Sequence, residues 1–421
     1  MQLNNRTYQI QGVKVLDIAD EFGLPLYVYD ADKIIEKIGL LRSSFSGVNL
    51  KIKYAAKALT NISILKLMRQ QGVEMDSVSV NEARMGILAG FEPGQIMFTP
   101  SGVSFEEIRE AVALGLQLNV DSLPLLEWVG QTYGSQVPVS IRINPHISEG
   151  GNIKISTGHA DSKFGISILQ RADILALANK YQIQVAGLHI HTGSDFKNAD
   201  AFLKGADVLF DLATDYPNLT FIDFGSGFKV AYKKGDHITN VAELGRQVSD
   251  AFQNFCQQYG RDLELWFEPG KFLVSESGHL LVKTNIVKDN PTRTFVAVDS
   301  GLNHLIRPMM YDAYHDIKNI SNPADDESSV EKTYTVVGYI CETDTFATDR
   351  SLPEVRPGDV LSFENAGAYG FSMASNYNAR FRPAEVLVYE GKPYLIRQRE
   401  TFEDLLRGQE IIEFEEELVK K

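Results

Sequence analysis

The stretch LKIKYAAKALTNISILKLMRQQGVEMDSVSVNEARMGILAGF, residues 50–91, decides the fold. It opens on a strand-like run, LKIKYAAK (50–57), followed by an amphipathic stretch (61–72) that stops at Gly72. A second β-type run, VEMDSVS (73–79), leads into a second helical stretch (81–91) broken at Gly90. Ser79 stands three residues before Glu82, the spacing of a capping box and hence a helix start, and glycine is the usual helix stop. The unit is therefore strand–helix–strand–helix, with strands about 22 residues apart.

Outward from this stretch the pattern continues. QIMFT (95–99), LQLNV (116–120), VPVSIRIN (137–144), QVAGLHIH (184–191), LTFIDF (219–224) and LELWFE (263–268) bring the β-type runs to eight. Eight strands alternating with helices predict an α/β fold, a parallel (β/α)8 TIM barrel, rather than a doubly wound sheet. No dinucleotide glycine fingerprint opens the first units, in keeping with that choice. After about residue 277 the texture changes to strands with few helices: 279–287, 293–299, 332–340, 359–365, 384–390 and 394–398. The expected division is an N-terminal strand and helix over 1–24 packing on the second domain, the barrel over 25–277, and an all-β C-terminal barrel or sandwich over 278–421 with a short terminal helix. The stretch 319–332 reads as a polar loop, and 410–421 as a charge-rich, solvated helical end.

Composition bounds the function. The 421 residues are 44% apolar and 23% charged, ordinary for a globular protein, and the net charge of -14 argues against nucleic acid and anionic membrane surfaces. No apolar run approaches membrane-spanning length, and no leader is visible. The two cysteines, Cys256 and Cys341, are far apart, which suits a reducing compartment, so a cytoplasmic location is expected.

Barrel enzymes place their chemistry at the C-terminal strand ends. Here those ends carry Lys57, Asp76, Arg142 with Asn144, His191, Gly225-Ser226-Gly227 and Glu268. Singly, each has an ordinary explanation: a lysine reaching for water, a glycine making a turn. Together they suit pyridoxal 5′-phosphate: a lysine for its aldehyde, bare backbone N–H groups for its phosphate, an imidazole to stack on the ring and a carboxylate for the ring nitrogen. A metal on His189 and His191 is the rival reading. Only one of the two is expected to face the barrel, and no further His or Cys follows at ligand spacing, so no metal is expected.

The sequence resembles the fold-type III pyridoxal-phosphate-dependent decarboxylases over essentially its whole length, and within them the branch acting on meso-2,6-diaminopimelate. YAAKA (54–58) resembles the family motif bearing the cofactor-linking lysine, here Lys57. HIHTGS (189–194) implies His191 for the ring and Ser194 for phosphate; FGSGF (224–228) is similar to the phosphate loop. EPGK (268–271) implies Glu268, Pro269, Gly270 and Lys271 around the cofactor, with Lys271 also near substrate. DSGLNHLIRPMMYDAYH (299–315) supplies Arg307 and Tyr311 for a substrate carboxylate, and GAYGFSMASNYN (367–378) supplies Tyr369 for phosphate and substrate. CET (341–343) resembles the motif that contributes Cys341, as proton donor, and Glu342 from a neighbouring subunit, so a homodimer is implied. STGHADSKFGI (156–166) is similar to a loop of the same branch, and 144–165 reads equally as a lid or an ordered connector. Two positions depart from the family: Ser226 for a glycine, and Lys271 for an arginine, which replaces a bidentate fork with a point charge. The resemblance implies decarboxylation of meso-2,6-diaminopimelate to L-lysine and CO2. Other basic amino-acid decarboxylases and a non-catalytic cofactor-binding protein are the rivals, the last opposed by the presence of Lys57, Glu268, Arg307 and Glu342.

Overall fold

The computed structural model describes residues 1–147, 162–191, 193, 199–323 and 331–414. Eight parallel strands close on themselves: Asn49–Ala55, Glu74–Ser77, Ile96–Phe98, Gln117–Val120, Val139–Asn144, Val185–Ile190, Phe221–Asp223 and Glu264–Phe267. The closing register sets Glu264 opposite Asn49 and Phe267 opposite Ile52. All eight are the runs expected from sequence. Each is short, with helices over its outside and side chains of neighbouring strands filling its inside, where polar groups such as Lys53, Asp76, Asn119 and Arg142 are also buried.

The helices keep the local signals that specify them. Asn61 caps Ile62–Gln70 by accepting the Ser63 N–H at 2.9 Å, and Ser79 caps Val80–Ala89 by accepting the Glu82 N–H at 3.2 Å. Val80–Ala89 ends at Gly90, whose φ of +97° is left-handed. The last strand is followed only by the four-residue helix Lys271–Val274. The helix Ala31–Ser44 packs beside it and against Val241–Tyr259, filling the ring where a full eighth helix would stand. Lys37 pairs with Glu276 across this junction, and Phe45 packs on Phe228 and Phe267.

The second region is mostly strand, built around the long strand Gly278–Asp289, which pairs with Thr294–Val298, Val360–Phe363 and Leu26–Asp30. Glu331–Val337 and Thr345–Pro353 extend it on one side, Ala384–Tyr389 and Lys392–Arg397 on the other. Leu26–Asp30 thus lies in the second sheet, although the sequence boundary puts 25 onward in the barrel; its two faces are apolar and suit either sheet. The N-terminal strand expected within 1–24 is a small separate antiparallel sheet of Gln2–Asn4, Thr7–Ile10 and Val13–Lys14. Ile10, Val15 and Ile18 pack on Val28, Leu281, Val386 and Val388 of the larger sheet. Two strands, Ile317–Asn319 and Thr345–Pro353, were not expected; the second, TFATDRSLP, is too charged and irregular to show an alternating pattern. Residues 409–414 are not helical, and the rest of the expected helical tail lies outside the described residues.

One buried carboxylate joins the chain's distant parts. Glu385 is fully buried and accepts hydrogen bonds from Tyr29 Oη at 2.8 Å, from Asn61 Nδ2 at 3.0 Å and from Arg397 Nε. It therefore ties the first and last strands of the second sheet to the cap of the helix that follows Lys57.

At the opposite end of the barrel sits Lys53, also fully buried. Its ammonium donates to Glu74 Oε2 and Gln117 Oε1, both at 2.8 Å, and lies 4.1 Å from the centre of the Trp266 ring. Phe221 stacks on Trp266 at 3.5 Å, and Gly187 leaves the room that Phe221 fills: a Cβ there would lie 2.2 Å from its ring.

Candidate active site

The C-terminal strand ends and the second region enclose a cavity of about 610 Å3. Lys57 enters it from the turn Ala56–Ala58, directly after Asn49–Ala55. Arg142, His191, Ser226, Glu268, Gly270 and Lys271 line it from the barrel, and Arg307, Tyr311 and Tyr369 from the second region. Asp76 approaches from below, its Oδ2 3.7 Å from Lys57 Nζ. Of the predicted cofactor residues, Gly225, Gly227 and Pro269 do not line the cavity. Gly225 shapes the turn, and the Pro269 carbonyl accepts the Ala55 N–H at 3.3 Å, fastening the last strand's end to that of the first. Ser194 and most of the stretch 144–165 lie outside the described residues.

Lys57 lines the cavity with 44% of its side chain exposed. Burial opposes its charge, but Asp76, with Tyr369 and Glu268, outweighs burial and holds the ammonium above the ordinary lysine value. Desolvation therefore does not activate this lysine: the neighbouring charges win. Asp76 shows the other side of this crowding. Burial, and then the nearby charge of Glu268, push it up to about 7 against the pull of Lys57.

Glu268 lies among imidazoles. His189 Nε2 is 3.2 Å from Glu268 Oε2, and Asn119 Nδ2 is 2.8 Å from His189 Nδ1. With Asn119 donating, His189 carries its proton on Nε2, toward the carboxylate. Burial lowers His189, whereas Glu268 is held well below the usual carboxylate range in spite of burial, by His189 and Lys57; the pair is a neutral imidazole beside an anion. His191 is lowered further, by burial and then by Arg142, and its Nδ1 accepts the Ser226 N–H at 3.1 Å. A neutral ring so anchored can lie flat against a flat ligand. His189 and His191 both face the barrel interior, so the expectation that only one would do so is corrected: residues two apart on a strand share a face. His189, Asp223 and Glu268 bring one ligand-type atom each within 4.8 Å of one another. Asp223 Oδ1 accepts the Gly225 N–H at 2.8 Å, which fixes the start of the glycine turn.

The residues fit pyridoxal phosphate on two observations. Glu268 Oε1 is buried and has no hydrogen-bond partner among the described residues, as an acceptor for a protonated ring nitrogen must. The backbone is stripped to glycine where it bends around the cavity: a Cβ on Gly225 (φ +61°) would lie 2.7 Å from His191 Nδ1 and from Ile190 O, and one on Gly270 3.1 Å from Ala58 Cβ.

On the opposite wall, Tyr369 has a left-handed φ of +56°, and its N–H donates to Ala58 O at 2.8 Å, beside Lys57. Ser372 Oγ donates to the same carbonyl at 3.2 Å. A strained tyrosine pinned to the lysine turn is a built feature. Cys341 and Glu342 are not brought to the cavity within one chain. Both are exposed; the Cys341 N–H donates to Asn378 Oδ1 at 3.1 Å, and Tyr377 Oη donates to Glu342 Oε1 at 2.8 Å.

Sequence reasoning gave no role to Thr99, Ser101, Phe164 or Phe228, which also line the cavity. Thr99 closes the run QIMFT, so the strand-end rule would have found it; Phe228 and Phe164 fall inside FGSGF and STGHADSKFGI, where neither phenylalanine was singled out, and Ser101 has no local signal.

Residues 31–275 match the family described as pyridoxal-dependent decarboxylase, pyridoxal binding domain. The chain is 36% identical over 411 residues to diaminopimelate decarboxylase of Methanothermobacter thermautotrophicus, covering 96% of this chain and 95% of that one. Among solved structures it is similar to diaminopimelate decarboxylase from M. jannaschii in co-complex with L-lysine (TM-score 0.87, 31% identity, 98% of each chain). It is also similar to that from Helicobacter pylori complexed with L-lysine (TM-score 0.84, 34% identity, 93% of this chain and 98% of the other).

Proposed function

The chain belongs to the pyridoxal-dependent decarboxylases, and from that premise we propose that it converts meso-2,6-diaminopimelate to L-lysine and CO2. The observation that carries the reading is the meeting, in one cavity, of Lys57 and Glu268 from the barrel with Arg307 and Tyr311 from the second region. The first pair suits the cofactor and the second a substrate carboxylate remote from the reacting carbon.

Pyridoxal phosphate, when bound, supplies a ring that takes up the electron pair of the breaking Cα–carboxylate bond. Lys57 Nζ, at the cavity mouth, would be the group that holds the cofactor's aldehyde end. Glu268, anionic with a free buried acceptor, would hold a protonated ring nitrogen, and the neutral His191 would offer its face to the ring. The turn at Gly225–Gly227 and Lys271 hold the phosphate, with Ser194 assigned there through the family. Tyr369 fixes the wall between phosphate and substrate. Arg307 and Tyr311 bind the distal carboxylate, and Glu342, supplied by the partner subunit of a homodimer, binds the distal ammonium. Cys341 Sγ, from the same partner segment, delivers a proton to the carbon that CO2 leaves, with Lys57 Nζ as a second donor. Paired opposite charges at the distal end discriminate against a substrate that lacks the second carboxylate. No helix among the described residues is long and apolar enough to cross a membrane, and a cytoplasmic site of action is part of the proposal.

The test is CO2 release by purified protein supplied with pyridoxal phosphate, comparing meso-diaminopimelate with ornithine, arginine and carboxynorspermidine. Turnover of diaminopimelate alone is expected. Turnover of another of these in its place overturns the substrate, and absence of turnover with all four overturns catalysis.

A further inference from the structure

We infer that Tyr232 is a positioning residue for Arg307, and through it a determinant of selectivity for substrates carrying a distal carboxylate. The inference rests on the reading of Arg307 as the ligand of that carboxylate. Arg307 opens a helix of only five residues, Arg307–Tyr311, and a guanidinium on so short an element has many rotamers to lose. Among the described residues, the one hydrogen bond of its side chain runs from Nη2 to Tyr232 Oη, at 3.4 Å. Its guanidinium carbon lies 5.4 Å from the Tyr232 ring centre and 6.0 Å from that of Tyr369, so two rings flank it. Tyr369 lines the cavity and Tyr232 does not; Tyr232 stands behind the arginine, where it orients without touching substrate.

Tyr232 is itself held from several sides. Its N–H donates to Asp236 Oδ2 at 3.0 Å, and the carbonyl of Ala231 accepts from Asn365 Nδ2 at 2.6 Å. His315 meets its ring edge-on at 5.6 Å. Its hydroxyl lies 3.2 Å from the fully buried Ser275 Oγ. The Tyr232 hydroxyl thus bridges the guanidinium of Arg307 and the hydroxyl of Ser275, a linked set Arg307–Tyr232–Ser275. It runs from the substrate wall, through the segment after the glycine turn, to the joint of the two regions. It leaves the remaining N–H edge of Arg307 preset for a carboxylate.

The test is Tyr232→Phe, which keeps the ring and removes the hydroxyl. The KM for meso-diaminopimelate should rise about fivefold to tenfold, the loss of one charge-assisted hydrogen bond, with kcat within about twofold. Inhibition by L-lysine, which retains the distal carboxylate, should weaken by the same factor, while inhibition by cadaverine, which lacks it, stays unchanged. Arg307→Met is the companion. If it leaves KM and L-lysine inhibition unchanged, the reading of Arg307 itself fails. If Arg307→Met raises both and Tyr232→Phe raises neither, the inference alone is overturned. Equal weakening of L-lysine and cadaverine by Tyr232→Phe, or a fall in kcat at constant KM, also overturns it.

Discussion

Replacing Lys53 by methionine probes the closed end of the barrel without touching the cavity. The substitution removes a buried ammonium that donates two 2.8 Å hydrogen bonds, to Glu74 and Gln117, and keeps an unbranched chain over Trp266. Breaking a buried ion pair costs about 3–5 kcal/mol when the remaining charge has no other partner. Here Glu74 keeps Lys51, 3.2 Å away, and has some access to water, so about 2–3 kcal/mol is expected. With a urea slope of about 2–3 kcal/mol per molar, the midpoint moves down by about 1 M. Burial alone would raise the Glu74 carboxyl, but Lys53, and then Lys51, hold it below its ordinary value of 4.5. Its contribution is therefore present above pH 4.5 and is lost as the pH falls through the folded value. The gap between wild type and variant should be widest near pH 7 and narrow below pH 4. Urea unfolding followed by tryptophan fluorescence reads this locally, because Trp266 is one of only two tryptophans and lies beneath the changed side chain. Decarboxylation at 25 °C should stay within about twofold. A gap under about 0.5 kcal/mol at pH 7, or the same gap at pH 4 and pH 7, refutes the reasoning.

Three other outcomes are expected. Lys57→Ala should leave no borohydride-trapped cofactor detectable by mass spectrometry and should lower decarboxylation by at least about 10³-fold; full activity in that variant removes Lys57 from the mechanism. Gly225→Ala sets a Cβ 2.7 Å from backbone and imidazole atoms at a left-handed φ, so pyridoxal phosphate, titrated by fluorescence quenching, should bind at least about tenfold more weakly; unchanged binding means the turn does not seat the phosphate. Asp76 titrates at about 7 in the folded protein against an ordinary 3.8, so its contribution is fully present below 3.8 and is lost as pH rises through 7. The melting temperature of cofactor-free wild type should fall over that window, and Asp76→Asn should flatten the fall; identical profiles exclude Asp76 as its source.

The barrel was legible because its information is local. Several of the eight strands lie between a glycine helix stop and a capped helix, and Asn61, Ser79 and Gly90 act in the structure as such residues do in isolation. The strand-end rule likewise separated Lys57, in the turn just after the strand, from Lys53 within it. It could not show that Lys53 is fully buried, because its partners Glu74 and Gln117 come from other strands. LYVYD at 26–30 is apolar enough for any sheet, and its placement depends on partners some 250 and 350 positions away. Tyr232 carries no motif; its part is visible only once Arg307 lies over it. The balance of charge around Lys57 is a sum over several strand ends and appears only when they are assembled.

Glu385 has a consequence for how the protein comes into being. Tyr29 and Glu385, hydrogen-bonded in the native fold, are 356 positions apart. At about 5–20 residues per second, ribosomal synthesis separates their emergence by about 20–70 s. For most of that interval Leu26–Asp30, buried in the finished protein, has neither Gly278–Asp289 nor Ala384–Tyr389 to cover it, and for all of it Asn61 lacks its carboxylate. The barrel strands can close meanwhile, but the cap beside the reactive lysine waits for nearly the last strand. Completion of the chain, rather than folding of the barrel, is the event that switches the site on, and a ribosome that stalls or a protease that trims before residue 384 releases a barrel without a finished catalyst.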